Sequence, residues 1–210
     1  DFHAPYGRHH EIRIPTAGRA AAYCPAAATL YVAAGDGRGA GAPSPTYRVD
    51  LVGGRFLSPL GGPEGAGGGT CVAPSAVRGL LSVGYGNGAL RLYDERTSKP
   101  AAAADVGAEA SAVAHGPCGT LHATGTDDGR VVLHDLRSVR PLCEYRMGGR
   151  VRKVHFHGDG IVLSGDSTVI SAWRSKDAQD GKIGSSLVHL EACDGEGAGG
   201  FMKDFLVAGD

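Results

Sequence analysis

Between Leu121 and Pro141 the chain runs through an apolar-alternating stretch, LHATGT, turns at Asp127, Asp128 and Gly129, and runs again through RVVLHDLR. In the second run Val131, Leu133 and Asp135 fall on one face of an extended strand, and Val132, His134 and Leu136 on the other. Apolar side chains on both faces predict a strand packed on both sides, in a hairpin closed by residues that tolerate positive φ. The same pattern recurs. Displaced by 41 positions it lands on LLSVGYGNGALRLYDERTSKP, so that Leu121 matches Leu80, Gly125 matches Gly84, Gly129 matches Gly88, Leu133 matches Leu92, Asp135 matches Asp94, Arg137 matches Arg96 and Pro141 matches Pro100. Displaced by 39 in the other direction it lands on GIVLSGDSTVISAWRS, with Trp173 where His134 and Tyr93 stand. A looser copy precedes these in TLYVAAGDG and PTYRVDL.

A period near 40 residues built of short strands and Gly-containing turns predicts an all-β fold of four-stranded propeller blades. The register gives blades over residues 19–60, 69–106, 110–147 and 151–191. Residues 1–18 read as the end of a preceding blade and residues 199–210 as the start of a following one, so about four full blades and parts of two flanking ones form an incomplete ring. The final FLVAGD reads as a strand with nothing to pair against, which suits a segment of a longer protein. Two Gly-rich runs, 35–46 and 61–70, have no apolar period and read as mobile surface loops.

Composition narrows the function classes. The 210 residues are 42% hydrophobic, and 21 Lys and Arg stand against 22 Asp and Glu, so the chain is globular and has no global pull toward nucleic acid or an anionic membrane. Its five Cys are scattered at 24, 71, 118, 143 and 193, without a CxxC pair, which argues against a disulfide framework or a zinc module and fits a reducing compartment. No apolar run approaches the roughly 20 residues that span a bilayer.

The repeats resemble a divergent WD-repeat propeller. The ordered set EIRIPTAGR (11–19), YRVDLVGGRFLSPL (47–60), GRVVLHDLRSVRPL (129–142), VRKVHFH (151–157), VLSGDSTVISAW (162–173) and GKI (181–183) resembles the propeller of the nucleolar protein 10 family over essentially the whole chain. GRFLSPL is the most distinctive piece, because nothing in a generic blade demands it. That resemblance implies a non-catalytic scaffold of the nucleolar small-subunit processome, which processes the precursor of 18S ribosomal RNA. It further implies a place in the nucleus and nucleolus, with other pre-ribosome assembly proteins as partners and precursor RNA within the same particle. WD repeats also carry a blade-stiffening network of His, Ser/Thr, Asp and Trp. Here the Trp position holds Tyr93, His134 and Trp173 in turn, and Asp127 and Asp166 are the candidate turn acids.

Candidate chemistry is sparse. The adjacent Asp127 and Asp128 lack the about six to eight oxygens calcium requires and read as turn residues. His155 and His157 share a strand face without a third zinc ligand in register. LSGD at 163–166 repeats with the blade as ATGT and SVGY, so Ser164 is no nucleophile elbow. GYGNG joins two strands rather than opening a helix, so it is no phosphate loop. No cofactor, metal or catalytic set is expected. The best contact surface is the basic run with Arg146, Arg150, Arg152 and Lys153, suited to RNA phosphate or an acidic protein segment. The structural blade positions are Tyr93, Asp94, Arg96, His134, Asp135, Arg137 and Trp173. Because YDER and HDLR are also similar to the Asp-x-Arg motif by which some WD-repeat proteins dock onto cullin-type ubiquitin ligases, a substrate-receptor role is the alternative. A propeller hydrolase would need acids and His from several blades converging on the channel.

Overall fold

Alternating strands and tight turns assemble into four sheets of four strands each. The computed structural model describes residues 12–35, 45–158, 161–165, 169–175 and 188–191. The ends expected to belong to flanking blades, at 1–11 and 199–210, lie outside the described residues, as do 36–44 and Asp166. Sheet one comprises β1 (Gly18–Cys24), β2 (Thr29–Ala34), β3 (Thr46–Asp50) and β4 (Arg55–Leu60). Sheet two comprises β5 (Gly69–Ser75), β6 (Leu80–Tyr85), β7 (Ala89–Asp94) and β8 (Pro100–Asp105). Sheet three holds β9 (Ala110–His115), β10 (Leu121–Thr126), β11 (Arg130–Asp135) and β12 (Arg140–Arg146). Sheet four holds β13 (Lys153–His157), β14 (Ile161–Gly165), β15 (Val169–Arg174) and β16 (Val188–Glu191). Within each sheet the strands follow chain order, antiparallel at every step.

The sheets meet through their first strands, β1 against β5, β5 against β9 and β9 against β13. Burial follows from this radial order. β10 is buried along its whole length and β6 from Leu81 to Tyr85, because neighbouring sheets cover both faces, whereas the outer strands β4 and β8 are largely exposed. The hydrophobic core therefore lies in the seams. Tyr31, Leu81, Tyr85 and Tyr93 fill the one between sheets one and two. Leu133, Tyr145, Phe156 and Trp173 fill the one between sheets three and four. The cluster between sheets two and three is smaller, with Cys71, Val106, Ala110 and Val132.

The glycine at the fifth position of β6 and of β10 has a packing reason. A Cβ on Gly84 would lie 2.6 Å from both Ala110 Cβ and Cys71 Sγ, and one on Gly125 would collide with the Val151 side chain. Each glycine thus lets the next sheet's first strand approach closely. Gly125→Ala is expected to cost about 1–3 kcal/mol through overpacking, read as a lower denaturation midpoint; no change would place that seam further apart than described.

The Gly-rich run 61–70 is not a surface loop over its second half. Ala66 is buried, Asn87 N and Gly86 N donate to Ala66 O and Gly68 O, each at 3.1 Å, and Gly69 and Thr70 already belong to β5. A Cβ on Gly35 would come within 2.6 Å of Gly68 Cα, so these glycines permit two backbones to pack against each other. The end of the other run is also structured, since Thr46 is buried and opens β3. A lack of apolar period marks backbone packing here rather than solvent.

Candidate functional site

The first strands carry a bulge at the same repeat position. Register shifts occur at Gly18/Ala20 in β1 and Gly69/Cys71 in β5, and opposite Gly125/Thr126 in β9, so that Arg19, Thr70 and Ser111 are the extra residues. Arg152, 41 positions after Ser111, occupies the same place ahead of β13, where its backbone N donates to Gly165 O at 2.7 Å. Bulges re-aim side chains, and these four residues line one cavity of about 430 Å³ between the four first strands. Ala20, Ala21, Ala112 and Val113 supply small apolar walls. The hydroxyls are engaged in the seams: Thr70 Oγ1 donates to Ala110 O, and Ser111 Oγ donates to Val151 O at 2.6 Å. The two arginines remain as the polar groups of this position, and Lys153 joins them in the lining.

One carboxylate organises the rim. Glu109 Oε1 accepts from Arg150 Nη2 at 3.0 Å and from Arg19 Nη2 at 3.4 Å, linking sheet one to the connection between sheets three and four. Of the basic run expected to act together, Arg150, Arg152 and Lys153 gather at this mouth. Arg146 does not join them; it lies at the end of the outer strand β12, with its guanidinium 3.0 Å from Glu144 on the same strand. Arg19 and Glu109 escaped the sequence reading. The clue was the repeat register itself, which aligns Arg19 with Arg152 only once the longer first repeat is allowed for.

The Asp-x-Arg segments are self-contained hairpin turns. Asp94 Oδ1 accepts from the Arg96 backbone N at 2.9 Å, and Asp135 Oδ1 from that of Arg137 at 2.8 Å. Each guanidinium folds back onto its own Asp, at 3.1 Å for Arg96 and 2.6 Å for Arg137, and these hydrogen bonds hold both carboxyls below the usual carboxylate range. The turns carry positive φ at matching positions, +58° at Ser98 and +54° at Val139. The arginine side chains are 82% and 71% exposed, so Arg96→Ala and Arg137→Ala are expected to leave the denaturation midpoint unchanged. A clear drop would give these ion pairs a structural weight their exposure denies.

The third-strand aromatic position spans the seam to the preceding sheet. Tyr93 Oη donates to Gly61 O at 2.7 Å and pairs with Tyr85 Oη at 2.9 Å; burial raises both phenols' pKa. Trp173 stacks on Tyr145 at a 4.7 Å centroid separation. His134 is shorter than either, and a cleft of about 330 Å³ remains beside it, walled by Ala104, Val106 and Pro141. Asp128, not Asp127, is the functioning turn acid of sheet three: its carboxylate accepts from Thr126 Oγ1 at 2.5 Å and from Arg130 Nε at 2.7 Å. Burial pushes the Cys71 thiol up to about 12. Among the described residues no three His, Cys, Asp or Glu side chains stand where they could hold a metal ion.

Repeated four-stranded antiparallel sheets, joined by their first strands around a common channel, define a β-propeller. The profile of the Nucleolar protein 10-like, N-terminal domain, a β-propeller, matches residues 1–203, and the chain belongs to that family. It is 32% identical to nucleolar protein 10 of Mus musculus and 31% identical to that of Homo sapiens, each over 89% of this chain and 28% of the relative. It is 33% identical to ribosome biogenesis protein ENP2 of Chaetomium thermophilum, over 90% of this chain and 31% of the relative. The chain thus spans about three tenths of the length of these relatives. A nucleolar, and hence nuclear, location goes with the family.

Proposed function

We propose that the chain is the propeller of a non-catalytic scaffold in ribosome biogenesis, acting in small-subunit assembly and 18S precursor processing. Family membership carries this reading, since relatives are named for ribosome biogenesis. The physical properties of the domain support it. Sheets packed through their seams give rigid faces, and among the described residues the charged side chains that line the cavity are Arg19, Arg152 and Lys153 rather than a set of acids and histidines suited to hydrolysis. Other pre-ribosome proteins are the direct partners, and precursor RNA is met within the same particle.

Depleting the natural protein and following ribosomal RNA precursors tests the reading. Precursors of 18S RNA should accumulate while large-subunit RNA matures normally; a selective large-subunit defect would contradict the assignment. The exposed guanidiniums of Arg96 and Arg137 are the observation that favours a ubiquitin-ligase receptor instead. That role requires a cullin adaptor to co-purify and to be lost in Arg96→Ala or Arg137→Ala.

A further inference from the structure

We propose that the channel mouth is the docking site for an extended acidic segment of an assembly partner, with small apolar side chains between its carboxylates. This deepens the scaffold reading and rests on it. Arg19 comes from the bulge of β1 and Arg152 from the residue just ahead of β13, and they flank the cavity from two sides, with Lys153 beside Arg152 and Arg150 on the rim. The carboxylate they already hold is instructive. Glu109 accepts from Arg19 and Arg150 together, which shows that the rim arginines can converge on one carboxylate. Arginine presents a planar fork that matches a carboxylate, and charge-assisted bonds of this kind are stronger than neutral ones.

The walls decide which polyanion fits. Single-stranded RNA is held by stacking its bases on aromatic side chains as well as by phosphate contacts, and among the described residues no aromatic side chain lines this cavity. An A-form helix presents phosphates on a broad surface and would meet the rim without entering. The alanine and valine walls instead offer a smooth apolar lining to short side chains, and about 430 Å³ is within the ordinary size of a small-ligand pocket. Cations at the mouth and apolar walls below them together specify an acidic peptide with small hydrophobic residues.

The test uses the purified natural protein, with fluorescence anisotropy on a labelled peptide of alternating Glu and Ala and on a labelled oligouridylate of equal charge. The peptide should bind more tightly than the oligouridylate. Arg152→Glu combined with Lys153→Glu should weaken it by at least about tenfold, while Arg152→Lys with Lys153→Arg retains binding and Arg146→Glu, away from the mouth, leaves it unchanged. Equal losses in the Arg146 and Arg152/Lys153 variants, or tighter binding of the oligouridylate, would overturn the proposal. Gradient sedimentation of the same variants separates it from the scaffold reading. Wild-type protein that fails to travel with small-subunit precursors removes the scaffold role. Wild-type protein that travels with them but ignores the peptide removes only the docking site.

Discussion

Trp173→Ala is expected to lower stability by about 3–5 kcal/mol, the range for removing a large aromatic from a core. Trp173 is only 6% exposed and lies in the seam between sheets three and four. Its ring stacks on Tyr145 with an interplanar angle of 20°, and its Nε1–H donates to Ser164 Oγ at 2.7 Å. The Ser164 hydroxyl in turn reaches Met147 Sδ at 3.0 Å, and Tyr145 Oη donates to Arg174 O at 3.1 Å. Truncation would open a cavity, strip Tyr145 of its stacking partner and leave the Ser164 oxygen without its donor. Trp173→Phe keeps much of the stack and should lose only the hydrogen bond and some volume, about 1–2 kcal/mol. Equilibrium denaturant melts measure both. A loss under about 1 kcal/mol for the alanine variant would mean that the indole does not hold the seam.

Acidification between pH 6.5 and 4.5 is expected to destabilise the domain, mostly above the range in which its carboxylates titrate. His115, His122 and His134 occupy adjacent strands of sheet three, with ring centroids 4.9 Å apart for the first pair and 6.1 Å for the second. His115 Nε2 shares a hydrogen bond with Ser82 Oγ of sheet two at 2.9 Å, and His122 is wholly buried with Nε2 unpartnered. Burial is the main cause that holds all three below the ordinary histidine value, His115 at about 4 and His122 well below 6.5. The sign follows directly. Below pH 6.5 the unfolded chain takes up protons that the folded one refuses, so stability present at neutral pH is lost as pH falls toward the folded values. One proton taken up by the unfolded chain and refused by the folded one costs up to about 1.4 kcal/mol per pH unit, and His115 alone contributes about 2 kcal/mol across this window. Denaturant midpoints at half-unit pH steps should fall steeply. His115→Gln, which keeps a group able to bond Ser82, should make the slope shallower by about 1 kcal/mol per pH unit. A flat midpoint between pH 6.5 and 4.5 would contradict the burial of this cluster.

Much of this architecture was legible because each hairpin repeats its own punctuation. Gly88 and Gly129 adopt positive φ in the turns, and Gly84 and Gly125 recur where the next sheet presses close. Asp94 and Asp135 recur because each closes the same turn. What failed to show was what depends on the neighbouring sheet. His122 looks like any strand histidine until Ser82's sheet covers the adjoining ring, and Ala66 looks like part of a spacer until Asn87 bonds its carbonyl. The choice of Asp128 over Asp127 depends on which side of the turn Arg130 and Thr126 occupy, which alternation does not specify. The channel mouth was half visible. The basic run announced Arg150, Arg152 and Lys153, but strand pairing moved Arg146 to the outer strand, and bulges brought in Arg19 from the far end of the chain.

The most direct test of the scaffold role is a pull-down of the tagged natural protein from nuclear extract, with and without ribonuclease. Co-purifying proteins would be identified and precursor ribosomal RNA probed. Recovery of small-subunit assembly proteins with 18S precursor is the expected result, and protein partners that survive ribonuclease would show that protein contacts hold the complex. Recovery of a cullin adaptor with no ribosomal material would contradict the scaffold role and shift the functional weight to Arg96 and Arg137.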